Sequence, residues 1–168
     1  TVTTKDVVWV GSSRADLRAL PELARRQLGF ELREVQSGGL PQDWKPMTTV
    51  GSGVIEMRVR IDGAFRLMYI AKFAEAIYVL HVFQKKSQKT SPLDLAVAKA
   101  RLAAFDVLAG EASHMAIRMQ RSSGNVFTDA GFPKEEAAHL LIRADLMIQF
   151  KSGLQQVVIN LINNAIKF

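Results

Sequence analysis

The strongest fold signal lies in residues 54–86, VIEMRVRIDGAFRLMYIAKFAEAIYVLHVFQKK. Three strand-like runs follow one another in this stretch, at 54–61, 64–73 and 76–83. They are separated by Asp62-Gly63 and by a short turn near Ala74-Glu75, and turns this short join antiparallel strands. Apolar and charged residues alternate in the first run, which indicates a strand with one buried face. The stretch therefore predicts a three-stranded antiparallel meander.

The flanking segments predict helices around this meander. An apolar run at 6–10 indicates a first strand, and Ser13 and Pro21 start two helices that end before Ser37-Gly38-Gly39. Residues 40–53 indicate a loop, and a further helix begins at Ser91-Pro92. The order predicts an α+β domain, a small antiparallel sheet with helices packed on one face.

The sequence changes character after residue 110. A small polar stretch at 111–118 indicates a junction, and 120–129 is polar and predicted to be extended. Pro133 starts a helix predicted to end at Phe150, and Ser152 is a candidate cap for a last helix to Phe168. We therefore predict a domain at 1–110, a junction at 111–118 and a helical tail at 119–168.

Composition excludes several classes of protein. The chain has 168 residues, 48% hydrophobic, which is ample for a packed core, and its lack of cysteine excludes disulfides and thiolate catalysis. The start carries no secretory signal and no segment is long and apolar enough for a membrane helix, so we expect a soluble, cytoplasmic protein without membrane contact. Residues 1–110 contain 16 basic and 11 acidic side chains, an excess that suggests an anionic partner.

Conventional catalytic motifs are absent. His81, His114 and His139 are far apart and lack metal-ligand spacing, so each is expected to be a core or surface histidine. Neither a phosphate-binding loop nor a dinucleotide fingerprint occurs, and Gly51-Ser52-Gly53 indicates a turn. No metal and no cofactor is expected.

Basic residues on the meander are the most informative polar feature. They are Arg58 and Arg60 on the first run, Arg66 on the second, and Lys85, Lys86 and Lys89 after the third. Because neighbouring strands lie about 4.8 Å apart, these side chains can converge on one face and bind phosphates. An ordinary solvated sheet face explains the pattern equally well.

A longer stretch around these residues resembles a known family. Residues 79–92, VLHVFQKKSQKTSP, together with WVGSS at 9–13, GVIEMR at 53–58 and FRLMY at 65–69, resemble HigB-like toxins of the RelE/ParE superfamily. The resemblance covers about residues 5–108. It implies a ribosome-dependent mRNA endonuclease in which the RNA's own 2′-hydroxyl attacks the adjacent phosphate without a metal.

The resemblance also implies roles for single residues. Arg66 would contact the scissile phosphate, Arg58 would stabilise developing charge, and Lys85 or Lys86 would transfer a proton or contact phosphate. Arg60 and Lys89 are further candidates for RNA contact, as are Tyr69 and His81, although a core tyrosine and a strand histidine are alternatives for the last two. Relatives that carry a tyrosine or histidine near the end of the domain differ from this chain, which has neither at 102–108.

Two further resemblances lie in the tail. GNVFTDAGFPKEEA at 124–137 and LIRADLMI at 141–148 look like the N-terminal part of HigA-type antitoxins, over about 119–150, without the helix-turn-helix that normally follows. LQQVVINLINNAIKF at 154–168 is similar to the N box of sensor histidine kinases, where an asparagine, here Asn164, helps to hold Mg-ATP. The glycine boxes and the phosphoacceptor helix are absent, so we do not expect ATP binding.

These observations lead to two main hypotheses. The first is a type II toxin–antitoxin toxin that cleaves mRNA on the ribosome and is neutralised by the antitoxin-like tail, or by an antitoxin, in cis or in trans. The second is a catalytically idle toxin–antitoxin protein with a regulatory or interaction role. The tail is also expected either to pack on the domain or to form a homodimer, and specific DNA binding is not expected without a helix-turn-helix.

Overall fold

The computed structural model describes residues 3–108 and 118–166. The elements in chain order are β1 (Asp6–Val10), α1 (Ser13–Arg18), α2 (Glu22–Gln36), β2 (Trp44–Pro46), β3 (Val54–Arg60), β4 (Ala64–Ile70), β5 (Ala76–Lys85), α3 (Pro92–Leu108), β6 (Met119–Arg121), α4 (Val126–Asp129) and α5 (Lys134–Ile166). The α+β class predicted from the sequence is confirmed. The predicted junction at 111–118, with His114, lies outside the described residues except for Arg118.

The six strands form one sheet in the order β2-β3-β4-β5-β1-β6. The predicted meander is confirmed, since β3 pairs with β4 and β4 with β5, both antiparallel. Asp62 and Gly63 both have positive φ, 49° and 138°, within the three-residue turn at 61–63 that closes this tight hairpin. The sheet is nevertheless mixed, because β1 pairs parallel with β5.

Hydrophobic cores lie on both faces of the sheet. The main core buries Leu28 and Leu32 of α2 against Met57 and Leu67 of the meander. The second core packs Ala98 of α3 against residues such as Met68 and Leu80. Helices therefore cover both faces, and not one face as predicted, because apolar side chains alternate onto both sides of β4 and β5.

Three local predictions were wrong. Residues 44–46, within the predicted loop, form an edge strand paired with β3, a place where Pro46 is tolerated. The segment 120–129 contains a helical turn, which Asn125 caps through its side chain. The two helices predicted at 133–150 and 152–168 form a single helix, α5. Gly153 lies between them, and a glycine inside an exposed helix costs only about 1 kcal/mol, which does not end the helix.

The segment after residue 118 packs into the main core. β6 pairs with the outer edge of β1, and Phe127 is fully buried against α2. At Gly29 a Cβ atom would lie 2.6 Å from the Phe127 ring, so the glycine inside α2 provides the space for that ring. Asp129, also fully buried, accepts hydrogen bonds from Trp9 Nε1 at 3.1 Å, from the backbone N–H of Ser123 and from the Ser122 hydroxyl. The division at residue 110 stays a prediction about chain organisation, while the two parts share one core.

Candidate functional site

Basic side chains of three strands gather at one end of the sheet, on the face that carries α3. Arg58 lies directly opposite Arg66, and Arg66 lies opposite Phe83 on β5. Directly opposed residues of antiparallel strands project to the same face. The register thus brings together the cations that the sequence placed on separate segments, as the cationic-face interpretation requires.

Basic side chains of all three strands line an open cleft of about 650 Å³, although Arg58 is not one of them. Its lining residues are Arg60, Gly63, Ala64, Arg66, Lys85, Lys86, Ser87 and Gln88. A smaller cavity of about 200 Å³ adjoins it and is lined by Lys85, Lys86 and Lys89, among others. Two adjoining depressions with lysines and arginines on their walls can hold neighbouring phosphates of one chain.

A buried carboxylate lies behind the cleft. Glu56 is only 1% exposed, and its Oε1 accepts a hydrogen bond from Arg58 Nε at 3.0 Å and lies 3.5 Å from Arg66 Nε. Two guanidinium groups thus share one carboxylate, which leaves the group of three with one net positive charge. The sequence analysis did not include Glu56 among the site residues, although its position on the charged side of β3, between cations, was the available signal.

Arg66 is the most enclosed of the cations. Its side chain is 3% exposed, Nη1 donates to the Phe65 carbonyl at 2.9 Å, and its remaining surface lines the cleft. Burial lowers the pKa of Arg66, Glu56 raises it, and the nearby Arg58 and Arg60 lower it further. A guanidinium stays charged through such shifts, so Arg66 provides a fixed positive charge at the cleft floor.

Lys85 differs electrostatically from the lysines around it. Burial lowers its pKa, the positive charge of Arg66 lowers it again, and only Glu56 acts in the other direction among the near groups. Lys86 and Lys89 are exposed. A lysine with a lowered pKa exchanges its proton closer to neutral pH than an exposed lysine does.

The structure places Tyr69 and His81 away from the cleft. Tyr69 is fully buried in the main core, on the opposite face of the sheet from Arg66, and burial raises its pKa. His81 is 8% exposed, and its Nε2 lies 2.8 Å from Asp94 Oδ1 at the start of α3. Tyr69 is thus a core residue, which does not fit its predicted contact with RNA. His81 joins β5 to α3 on the same face as Arg66 without lining the cleft, and its RNA contact stays a prediction.

The tail leaves the cleft open. No described residue of 118–166 lines it, because β6, α4 and the first part of α5 pack on β1 and on the helices of the main core. The described tail residues therefore do not cover the cleft of their own chain, and neutralisation by the tail stays a prediction.

In the described part of the chain, no three His, Asp or Glu side chains are grouped so that they could hold a metal ion, and His139 is exposed on α5. None of the described helices is long and apolar enough to cross a membrane.

Comparison with protein families identifies the part of the chain that builds the cleft. The sequence model of the family described as phage-derived Gp49-like proteins (DUF891) matches residues 15–103, slightly more than half of the chain. The chain belongs to the Gp49-like family. This family is part of the RelE/HigB-like toxin group, so the RelE/HigB-like resemblance is confirmed at that level.

All the cleft residues of this Gp49-like protein lie within the matched range, and the tail lies beyond it. The likenesses of 119–150 to an antitoxin and of 154–168 to an N box therefore rest on the sequence alone. No curated protein and no solved structure matches the chain significantly.

Proposed function

We propose that this Gp49-like protein is the toxin of a type II toxin–antitoxin system and cleaves mRNA on the ribosome. The observation that supports this proposal best is the cationic cleft, in which β3, β4 and β5 each contribute a basic side chain around one opening. RNA offers a phosphate at every nucleotide, and a protein without metal ions can cleave it by using the neighbouring 2′-hydroxyl as the nucleophile.

In the proposed reaction, the 2′-oxygen forms a bond to phosphorus and the bond from phosphorus to the 5′-oxygen breaks. The products are a 2′,3′-cyclic phosphate and a free 5′-hydroxyl. Negative charge grows on the phosphoryl oxygens in the transition state, where fixed cations are worth most. Arg66 at the cleft floor is assigned to the scissile phosphate, with Arg58 supporting it through the shared Glu56.

Proton transfer is assigned to Lys85. Its ammonium form would donate a proton to the leaving 5′-oxygen, and the proton of the 2′-hydroxyl would pass to solvent. Both lysines line the cleft and the adjoining cavity, and Lys85 is favoured for this step because it is half-buried beside Arg66, which lowers its pKa. Arg60, Lys86 and Lys89 are assigned to the RNA backbone on either side.

The antitoxin is proposed to act in trans. The HigA-like likeness of 119–150 suggests that this segment occupies, within the same chain, a surface on α2 and β1 that a separate partner would otherwise cover. Because the described tail leaves the cleft open, we propose that neutralisation requires another protein that reaches the cleft itself.

The test uses the full chain in a bacterial translation extract, with cleavage of a reporter mRNA mapped by primer extension. We expect Arg66→Ala and Lys85→Ala each to reduce cleavage about 100-fold or more, the effect of losing one charge-stabilising group. The exposed Lys134→Ala, on α5, is the matched control and should keep wild-type cleavage. Arg66→Ala also removes one of the two guanidinium partners of the buried Glu56, so Lys85→Ala is the cleaner of the two variants.

The alternative, an idle regulatory protein, is favoured by one observation, the near-complete enclosure of Arg66. It predicts that the full chain binds ribosomes or RNA without cleaving mRNA, and that Lys85→Ala changes nothing but affinity. Inactivity of the wild-type chain on translating ribosomes would contradict the nuclease proposal. A mobility-shift assay tests the remaining expectation, that the chain alone binds no specific DNA sequence.

A further inference from the structure

The second half of α5 is a long helical segment that none of the described residues, 3–108 and 118–166, covers. α5 spans 33 residues, about 50 Å at 1.5 Å per residue, and its buried side chains end at Ala144. Every residue from Gln149 to Ile166 is exposed. About half of the helix therefore lies against solvent in a single chain.

This free segment is strongly apolar, and its one charged side chain is Lys151, which pairs with Glu34 at 3.2 Å. No Asp, Glu, Lys or Arg occurs between Ser152 and Ile166. Nine large apolar side chains at least 49% exposed lie on it or just before it: Met147, Phe150, Leu154, Val157, Val158, Ile159, Leu161, Ile162 and Ile166. An exposed helix this apolar is typical of a surface that is buried against another chain.

The spacing of the apolar side chains is that of a coiled coil. Met147, Phe150, Leu154, Val157 and Leu161 follow one another at intervals of three, four, three and four residues. This 3.5-residue period keeps one seam of side chains facing a partner helix along its length. Asn164 occupies the next seam position.

We propose that this seam, Met147 to Asn164, pairs with the same seam of a second copy of the chain in an antiparallel homodimer. A second copy of the chain is compatible in charge, because the one charged side chain between Met147 and Asn164 is Lys151, which pairs with Glu34 of its own chain. The area that the pairing would bury is also sufficient. Six side chains that each bury on the order of 100 Å² give about 600 Å² per partner, or about 1,200 Å² in total, at the lower end of the range for specific interfaces.

The antiparallel direction follows from the start of the seam. One heptad before Met147, the seam position is Leu140, which is buried in the core of its own chain. In a parallel pair, the partner helix would have to continue along this occupied side. In an antiparallel pair centred between Gln155 and Gln156, Leu154 faces Val157 of the second copy, and the partner helix ends where the core begins.

A groove beside the seam also fits a second copy of the chain as the partner. A cavity of about 390 Å³ lies between α2 and α5, with Phe30, Leu40, Met147 and Phe150 on its walls. It opens at the start of the seam, where the last turn of the second helix would lie in the antiparallel register. The proposal is independent of the nuclease activity, since the mass of the particle is measured without RNA.

The first experiment measures the mass of the full chain by size exclusion with light scattering at micromolar concentration. We expect twice the chain mass of 18.6 kDa for the wild type. Leu154→Glu with Leu161→Glu should give the monomer, with a dissociation constant raised at least 100-fold. Gln156→Glu with Asn163→Glu adds the same two charges off the seam and should leave the dimer intact.

The second experiment tests direction and register. Because the chain has no cysteine, single substitutions give unambiguous cross-links. An oxidised mixture of Phe150→Cys and Leu161→Cys chains should form the mixed disulfide, and Phe150→Cys alone should form none, since its two sulfurs are about 16 Å apart along the axis. A monomeric wild type, or a dimer that survives the two seam substitutions, would overturn the proposal. Cross-linking of Phe150→Cys with itself would overturn the antiparallel arrangement.

Discussion

The substitution Glu56→Gln separates the buried ion pairs from the shape of the side chain. Glutamine has nearly the same volume as glutamate but no charge, so Arg66, 3% exposed, and Arg58 would lose the one carboxylate between them. Removing one partner of a buried ion pair costs about 3–5 kcal/mol, because the other charge stays enclosed. We expect a free energy of unfolding lower by about 3 kcal/mol, at the low end, because Arg58 remains partly solvated and the amide oxygen still accepts a hydrogen bond. At 2–4 °C per kcal/mol, the melting temperature should fall by about 6–12 °C.

The assay is urea unfolding followed by circular dichroism, with Glu34→Gln as the matched control. Glu34 pairs with Lys151 at 3.2 Å, but that lysine side chain is 56% exposed, so the same chemical change should cost less than about 1 kcal/mol. The double variant Glu56→Gln with Arg58→Gln should recover part of the loss, because it also removes an unpaired charge. A stability of Glu56→Gln within 1 kcal/mol of the wild type would refute the view that this carboxylate holds the two arginines.

Three further predictions concern the cleft and the tail. Lys85→Arg should keep RNA binding but lose cleavage. In the wild type, the cleavage rate should fall as the pH rises through the pKa of Lys85, which lies below the ordinary 10.5, because the ammonium form is the acid. A flat pH–rate profile would contradict this assignment. Gly29→Ala should lower the free energy of unfolding by about 1–3 kcal/mol despite the better helix propensity of alanine, because the new Cβ atom meets the Phe127 ring. Gly153→Ala has open space around it and should raise the free energy of unfolding by about 1 kcal/mol. Equal effects of the two substitutions in urea titrations would exclude the packing explanation. Asp129→Ala should destabilise the chain by about 2–4 kcal/mol, since it unpairs buried donors that include the Trp9 indole, and a change below 1 kcal/mol would show that the tail is held by apolar contacts alone.

The meander was predictable because its signals are local. Asp62-Gly63 indicates a tight turn between β3 and β4, and the alternation along β3 fixes which side chains share a face. These two local signals together place Arg58 opposite Arg66. The edge strand at 44–46 carries no such signal. It forms because β3 offers an unpaired edge, and that depends on tertiary pairing rather than on its own sequence.

The cations around the cleft could be named from the sequence, including the buried Arg66, whereas the buried carboxylate of Glu56 was missed. Exposed cations such as Lys86 are recognisable by residue type, whereas the roles of Glu56, Tyr69 and His81 depend on which neighbours enclose them. The position of α3 on the cationic face also depends on long-range packing, since its apolar stripe fits either side of the sheet. The sequence indicates that a segment is amphipathic, but not which of two apolar faces it will cover.

The position of β1 between β5 and β6 has a consequence during protein synthesis. β1 leaves the ribosome well before residues 119–121, which pair with its outer edge and lie more than a hundred positions later. Until that strand emerges, the nascent chain presents an unpaired edge, which can pair with other chains. The speed of translation between these two strands therefore sets how long the newborn protein is exposed to misassociation.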